Sequence, residues 1–289
     1  MQEVLMIDSV TLILEGGGMR GAFTAGVLDE WLEQGLHFKT VYGVSAGACQ
    51  ACSYLCSQKG RGIRVWKDYL RDRRFCSLSS LLRTGDLFNA QFNYEEIPQR
   101  LDPIDGEVYA RSGAKLYAVI TNLHTGQAEY LPVEDMRRDM PLIRATASLP
   151  LISRPVEIGG QLYLDGGVAD PIPLAHSIAQ GCARHVLVLT RTAEYRKEPM
   201  KGMPLLSRRY KEYPAFVEML SNRHTIYNDT LELIAREQAE GRAFVLRPGF
   251  PPDIGRIERN PDKLETLYQH GRAVAQRNAQ ALAAFLQEE

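Results

Sequence analysis

Two short glycine-framed segments carry the residues best suited to chemistry. One is residues 16–21, Gly-Gly-Gly-Met-Arg-Gly, and the other is residues 43–47, Gly-Val-Ser-Ala-Gly. Each follows a stretch typical of a strand and opens a stretch typical of a helix. We therefore expect Ser45 on a sharp turn, with its hydroxyl exposed near backbone N–H groups of the glycine run. A nucleophile beside such donors is what an acyl-transfer enzyme needs.

The turn at Ser45 has a second interpretation, a plain helix N-cap. An N-cap serine does not need a glycine on each side, whereas a strained turn does, because a larger side chain at Gly43 or Gly47 would clash. The helix predicted to begin at Ala46 would also point its positive end at the reaction centre, and the Ala46 N–H could join an oxyanion hole. These features favour Ser45 as a nucleophile.

A serine hydroxyl needs a base, and the sequence offers two kinds. A Ser-His-Asp triad would use a downstream histidine; none lies in a glycine-flanked loop, although His176 stays a candidate because it is close in sequence to Asp165. The better candidate is Asp165 itself, which leaves a short strand onto Gly166 and Gly167. Asp-Gly is a common turn, but burial would raise the carboxyl pKa from about 4 and make Asp165 a base for Ser45.

The glycine run also matches the dinucleotide-binding pattern GxGxxG, which likewise follows a strand and opens a helix. That pattern requires an acidic residue at the end of the second strand to hold the ribose. In this chain the second strand ends in Tyr42-Gly43 and runs directly into Ser45. The glycine pattern alone is therefore weak support for nucleotide binding.

Composition and charge narrow the function classes. The chain has 289 residues, of which 45% are hydrophobic and 24% charged, as in ordinary globular proteins, and one large α/β domain fits this length. A formal charge of −1 argues against nucleic acid as the main partner. No apolar run is long enough for a transmembrane segment, and residues 1–14 lack the features of a signal peptide. We expect a cytoplasmic protein, either free or peripheral at a membrane surface.

The five cysteines do not predict a disulfide framework, since their number is odd. Cys49, Cys52 and Cys56 recur at helical spacing just after Ser45, which could suggest a metal site. Zinc needs about four ligands, and no histidine or second cysteine pair is close in sequence. Buried small residues on the helix are the favoured interpretation, with no metal and no organic cofactor.

The order of predicted elements indicates a sheet with parallel strands. A strand, the glycine turn, a helix, a second strand, the Ser45 turn and another helix follow one another, so the two strands should be parallel and adjacent. We predict one domain over residues 1–289. The remaining predictions are strands at 115–121, 128–131, 185–190 and 243–247, a hairpin at 156–158 and 161–164, and helices at 141–148, 173–180, 225–240 and 262–287, with residues 71–93 irregular or broken.

Basic residues stand out in two places. Residues 191–223 carry eight Lys or Arg among methionines and tyrosines, which suggests an insertion that covers the active site as a lid, contacts anionic lipid, or is simply solvated. Arg20, inside the glycine run, could orient the oxyanion loop or attract a phosphate head group. A salt bridge to a nearby carboxylate is an equal alternative.

Three motifs in order resemble the patatin-like phospholipases, and most closely compact bacterial members. They are the glycine run with Arg20 and Gly21, the segment Gly43-x-Ser45-x-Gly47, and Asp165-Gly166-Gly167; residues 144–150, Arg-Ala-Thr-Ala-Ser-Leu-Pro, also fit. The resemblance covers about two-thirds of the chain. It implies a three-layer α/β/α sandwich with a mainly parallel central sheet, and a Ser-Asp dyad without histidine. The implied oxyanion hole uses the backbone N–H groups of Gly16, Gly17 and Gly18.

The resulting hypothesis is a serine hydrolase of lipid esters, a phospholipase, lysophospholipase or esterase that uses Ser45 as nucleophile and Asp165 as base. Two alternatives remain. One is a lipid- or nucleotide-binding protein that does no chemistry. The other is an acyltransferase, because the acyl-enzyme intermediate is common to both reactions.

Overall fold

The protein is built on a central β-sheet, described by a computed structural model that covers residues 5–287. Within these residues the sheet has eight strands: β1 (Leu5–Leu14), β2 (Leu36–Val44), β3 (Lys115–Asn122), β4 (Ala128–Val133), β5 (Val156–Ile158), β6 (Gln161–Asp165), β7 (His185–Val188) and β8 (Ala243–Leu246). Leu12 and Leu14 belong to one apolar cluster and Ile13 to another, so successive side chains of β1 point to opposite, covered faces of the sheet.

The strands pair in the order β5-β6-β3-β2-β1-β7-β8, and β4 also pairs with β3. All pairs among β1, β2, β3, β7 and β8 are parallel, whereas β4, β5 and β6 pair in the antiparallel direction. The predicted fold class, an α/β sandwich with a mainly parallel sheet, is confirmed. The predicted hairpin is also present as β5 and β6.

Helices cover both faces of the sheet. Helices α1, α2 and α10 contribute to one apolar cluster, and α7 and α9 contribute to the other. In chain order the helices of the described part are α1 (Gly21–Glu33), α2 (Ala46–Leu55), α3 (Arg61–Tyr69), α4 (Leu78–Thr84), α5 (Gly106–Ser112), α6 (Met140–Thr146), α7 (Leu174–Ala179), α8 (Met203–Arg209), α9 (Pro214–Ala239), α10 (Pro261–Arg277) and α11 (Ala279–Gln287), with a π-helix at Phe92–Leu101 and 3-10 turns at Gly18–Arg20 and Gly166–Val168.

Two predicted boundaries in the last third were wrong. The helix predicted to begin at residue 225 begins at Pro214, a residue type that suits the first helical turn, so the predicted insertion 191–223 ends inside α9. The predicted single helix 262–287 is two helices, α10 and α11. They separate at Asn278, whose side-chain amide donates to the Val274 carbonyl and ends α10.

Local capping explains a helix inside the stretch that was expected to be irregular. Helix α4 begins after Ser77, whose hydroxyl accepts a hydrogen bond from the Ser80 N–H. It ends at Gly85, which adopts the left-handed conformation common at helix C-termini. Both signals are present in the sequence, but the helix is only seven residues long.

The C-terminal part of the chain packs against the helix that follows the glycine run. A Cβ on Gly26 of α1 would collide with the Tyr268 carbonyl of α10, and a Cβ on Gly271 would collide with the Phe23 carbonyl. These two glycines let the helix backbones approach closely. The loop before α10 reaches the glycine run itself, where the Met19 N–H donates to the Arg256 carbonyl at 3.1 Å.

Candidate active site

Ser45 lies between the end of β2 and the start of α2, in a strained backbone conformation. Its φ is 54° and its ψ is −123°, a region that non-glycine residues rarely adopt. The Ser45 side chain makes no capping hydrogen bond to α2, so the N-cap interpretation fails. A Cβ on Gly43 would lie 2.6 Å from the Ala48 Cα, which explains why the sharp turn needs a glycine there.

Asp165 ends β6 and is 2% exposed. Its Oδ1 accepts a hydrogen bond from the Gly167 N–H at 2.7 Å. Its Oδ2 is buried and makes no hydrogen bond of ordinary geometry within residues 5–287. Burial raises the pKa of the Asp165 carboxyl, while the nearby Ser45 hydroxyl and the Arg223 guanidinium oppose that rise. The carboxyl therefore has one oxygen anchored and one free to accept a proton.

Ser45 and Asp165 come together because β2 and β6 pair with successive parts of the same edge of β3. Strand β2 pairs with β3 up to Val44 and Val119, where the chain turns away into Ser45. Strand β4 runs along the other edge of β3, so β6 pairs with the edge that β2 has left, and Asp165 lies opposite Ile120. The ends of β2 and β6 thus meet at adjacent positions of β3.

A threonine and a serine from residues 144–150 connect these strand ends. The buried Thr146 hydroxyl accepts from the Ser45 N–H at 2.9 Å and donates to the Val119 carbonyl. The Ser148 carbonyl accepts from the Asp165 N–H at 2.8 Å. Sequence reasoning found this segment only through the family resemblance; its role is to hold both turns in register.

The glycine run passes directly beside Ser45. A Cβ on Gly16 would lie only 2.9 Å from the Ser45 Cβ, so glycine is required by the close approach. Among the described residues, the backbone N–H groups of Gly16, Gly17, Gly18 and Ala46 donate to no other group. Four unoccupied donors therefore surround the turn that carries the hydroxyl.

Glu15 anchors the glycine run and was missed from the sequence. One of its carboxylate oxygens accepts from the Thr190 N–H at 2.6 Å and from the Thr190 hydroxyl, and the other accepts from the Tyr227 hydroxyl at 2.7 Å. A buried acid directly before a glycine turn was the available signal. Its partners, in the loop after β7 and on α9, could not be read from local sequence.

Two cavities of opposite character meet at Ser45. The larger, of about 140 Å³, is named the apolar chamber; its walls include Val65, Trp66, Phe75, Phe88, Ile97 and Ile143. The smaller, of about 50 Å³, is named the cationic chamber; it contains Asp165 and the glycine run, and it is lined by Arg20, Arg191, Lys197, Arg223 and Arg256. The geometry can hold an apolar chain on one side of the hydroxyl and a polar group on the other.

A family model decides the relationship of this chain to known proteins. The model of the patatin-like phospholipases matches residues 12–178. The chain belongs to the patatin-like phospholipase family. The matched residues include Ser45, Asp165 and the turns on which these two residues lie. A second model, for a domain of unknown function, DUF6363, matches residues 213–287, which begin in the turn before α9.

The chain is similar to proteins from bacteria and from yeast. The chain is 29% identical over 252 residues to an uncharacterized protein of Escherichia coli, YjjU, covering 84% of this chain and 69% of that one. It is 26% identical over 193 residues to the lysophospholipase NTE1 of Saccharomyces cerevisiae, covering 62% of this chain and 10% of the yeast protein. VipD of Legionella pneumophila aligns at 12% identity with a TM-score of 0.47, over 94% of this chain and 67% of that one.

The histidine candidate for the patatin-like site lies elsewhere. The His176 ring stacks on Tyr130 with 3.4 Å between ring centroids, and it meets Tyr42 edge-on. Burial lowers the pKa of His176. Of the residues that the structure describes, no histidine lines either chamber. His176 is a packing residue.

The structure also shows the surroundings of the three cysteines of α2 and its neighbouring turn, and of Arg20. Burial raises the pKa of the Cys49, Cys52 and Cys56 thiols, as expected for packed side chains. Across residues 5–287, no group of three His, Cys, Asp or Glu side chains is placed to hold a metal ion. Arg20 makes no ion pair with a described carboxylate, so the salt-bridge alternative is wrong.

Within residues 5–287, no helix is both long enough and apolar enough to cross a bilayer.

Proposed function

We propose that this protein hydrolyses acyl esters of lipids, with Ser45 as nucleophile and Asp165 as general base. The observation that carries the proposal is the pairing of a strained, buried serine with a buried carboxyl whose Oδ2 is free, in one cavity and without a histidine. Patatin-like family membership and the similarity to a yeast lysophospholipase agree with this activity.

In the proposed reaction, Asp165 takes the Ser45 proton while the serine oxygen attacks the ester carbonyl carbon. The carbonyl π electrons move to oxygen, and the free N–H groups of Gly16, Gly17, Gly18 and Ala46 stabilise that oxyanion. Collapse of the tetrahedral intermediate breaks the ester C–O bond, and Asp165 returns the proton to the leaving alcohol. A water, deprotonated by Asp165, then attacks the acyl carbon. The bond from that carbon to the Ser45 oxygen breaks, Asp165 returns the proton to the serine oxygen, and the fatty acid leaves.

The apolar chamber is proposed to hold the acyl chain. Its aromatic and aliphatic walls begin at Ser45 and offer no charged partner to the chain apart from Arg61 and Arg256. The Arg61 guanidinium is already engaged by the Asp102 carbonyl and carboxylate. Each buried methylene of a substrate would contribute about 0.8 kcal/mol to binding.

The whole described chain is proposed to work as one catalytic unit. The proposal gives part of the segment 191–223 a covering role, which is supported by Arg191, Tyr195 and Lys197 in the lining of the cationic chamber. The rest packs on the protein, since Leu206 and Tyr210 are buried, and the Tyr210 hydroxyl accepts from the Leu151 N–H.

Paired variants test the dyad. Purified protein is expected to cleave 4-nitrophenyl butyrate and to be labelled at Ser45 by a fluorophosphonate. Ser45→Ala should lose both, and Asp165→Asn should lose at least 10³-fold in kcat/KM while its circular dichroism spectrum stays native. The controls Ser221→Ala and Asp229→Asn change exposed residues of α9 and should stay active. Full activity of Asp165→Asn would reject the base, and product analysis with added alcohols separates hydrolase from acyltransferase.

A further inference from the structure

The cationic chamber carries more positive charge than its own carboxylates balance. Five basic side chains line it, those of Arg20, Arg191, Lys197, Arg223 and Arg256. Only two acids, Glu15 and Asp165, face them, which leaves a surplus of three positive charges when all are ionised. None of the five forms an ion pair with a carboxylate in the part of the chain that the structure describes.

Two observations indicate that the surplus positive charge of the chamber is suited to binding an anion. Arg20 is only 7% exposed, and its Nε makes no hydrogen bond within residues 5–287. A buried guanidinium N–H without an acceptor is costly, and native proteins rarely leave one. Burial, followed by the neighbouring cations, lowers the pKa of Arg20 to about 10 and that of Lys197 to about 7. An anion in the chamber would relieve both effects.

The catalytic carboxyl does not account for the surplus. Arg223 and Arg256 act on Asp165, and Arg223 also donates to the Gly167 carbonyl. Arg191 and Lys197 instead contact aromatic rings. The Arg191 Cζ lies 4.4 Å from the ring centroid of Tyr195, and the Lys197 Nζ lies 4.4 Å from that of Tyr227. Their charges remain directed at the chamber rather than at the base.

The chemistry of the lining suits a phosphate group. Guanidinium and ammonium groups together bind phosphate oxygens through charge-assisted hydrogen bonds. A chamber of about 50 Å³ exceeds the roughly 10–15 Å³ that one water requires, and it suits a compact polyatomic group. A doubly charged phosphate monoester offsets most of the surplus, a singly charged diester offsets less, and a choline or ethanolamine ammonium would be repelled.

We propose that the cationic chamber binds the phosphate monoester head group of the lipid whose ester Ser45 cleaves. This inference rests on the proposed function. Four of the five cations lie outside residues 12–178, and Arg223 and Arg256 lie in the segment 213–287 that matches the domain of unknown function. That segment therefore contributes to substrate choice as well as packing against α1.

Three lipids with the same oleoyl chain test the head group. Oleoyl lysophosphatidate, lysophosphatidylglycerol and lysophosphatidylcholine are presented at low mole fraction in neutral detergent micelles. Wild type should prefer lysophosphatidate over lysophosphatidylcholine in kcat/KM by at least tenfold, with lysophosphatidylglycerol between them. Arg191→Gln and Lys197→Gln should each reduce that preference about tenfold, since one charge-assisted contact is lost. Arg208→Gln, on an exposed position of α8, is the matched control and should keep the preference.

The backbone at residue 197 should keep its conformation in Lys197→Gln. The Lys197 N–H donates to the Asn228 side chain at 2.8 Å, and the Asn228 amide donates back to the Lys197 carbonyl at 3.0 Å. These main-chain contacts do not depend on the Lys197 side chain. A native melting temperature for Lys197→Gln verifies this.

Titration calorimetry with inorganic phosphate separates the possible sources of the anion. Wild type should bind phosphate saturably, about tenfold more tightly than Lys197→Gln, and Arg208→Gln should match wild type. Phosphate binding without any preference among the three lipids would overturn the head-group assignment in favour of free phosphate. If the three lipids have equal kcat/KM and 4-nitrophenyl butyrate is still cleaved, only this inference is overturned. If no ester is cleaved at all, the proposed function is overturned. A lipid preference unchanged in both variants would overturn the role of the chamber.

Discussion

The two chambers that meet at Ser45 differ in chemistry and in origin. All the residues named as apolar walls come from within residues 12–178, the patatin-like segment. Most cations of the other chamber come from later in the chain, from the loop after β7, from α9 and from the loop before α10. The family segment thus contributes the proposed nucleophile and an apolar cavity, while the later segments add a charged wall. We infer that the reaction type and the head-group preference are encoded in different parts of the chain.

The largest expected effect comes from a substitution beside Ser45, where the two chambers meet. Gly16→Val places a side chain where even a Cβ would lie 2.9 Å from the Ser45 Cβ and 3.0 Å from the Val44 carbonyl. Displacing the glycine run should cost 10²- to 10³-fold in kcat, the range for loss of an oxyanion donor. The loss should be equal for neutral and anionic esters. Gly106→Ala, where a Cβ has only ordinary contacts, is the control; near-normal activity of Gly16→Val would refute the close approach.

The next effect separates the chambers. Ala147 lines the apolar chamber, so Ala147→Phe should shorten it and lower kcat/KM for oleoyl esters about 10- to 100-fold more than for butyryl esters. Lys197→Gln should change head-group preference instead. If the chambers act independently, the losses in the double variant should add within about 0.5 kcal/mol. Strong coupling, measured on oleoyl lysophosphatidate, would contradict the separation of the two chambers.

A pH profile examines the proposed base, Asp165, which lines the cationic chamber beside the Ser45 that both chambers share. Because burial raises the pKa of Asp165, its carboxyl becomes protonated at a higher pH than an exposed aspartate does. The kcat/KM for 4-nitrophenyl butyrate should fall about tenfold per pH unit below that pKa and level off above it. A profile that stays flat down to pH 4, in protein that remains folded, would rule out Asp165 as the base.

The smallest effect is on stability. Ionised Asp165 is disfavoured in the folded state, since its pKa there is higher than in the unfolded chain. The destabilisation is absent below the unfolded pKa of about 3.9, grows as pH rises from there to the folded pKa, and is constant above the folded pKa. Asp165→Asn should therefore raise the free energy of unfolding by ~1 kcal/mol at pH 7.5, measured by urea titration. The gain should shrink at lower pH; a loss of stability at pH 7.5 would contradict this account.

Local sequence determined the turns and much of the secondary structure. The strand-turn-helix units at residues 16–21 and 43–47, and the hairpin that ends in Asp165, follow from glycine positions and apolar runs, because these act over a few residues. Two helix boundaries in the last third were nevertheless predicted wrongly, although the residues that set them act locally. Helix α9 begins at Pro214 rather than residue 225, and the predicted C-terminal helix divides at Asn278.

Only the tertiary structure decided which distant residues meet. Asp165 comes next to Ser45 because β6 pairs with the edge of β3 that β2 vacates, and strand pairing is chosen by the whole sheet rather than by the strand. Glu15 and the five cations are likewise scattered residues whose burial and charge have meaning only after the chain is folded around the glycine run. The sequence by itself predicted a nucleophile and a base. The fold decided their neighbours, since electrostatic and packing interactions act through space and not along the chain.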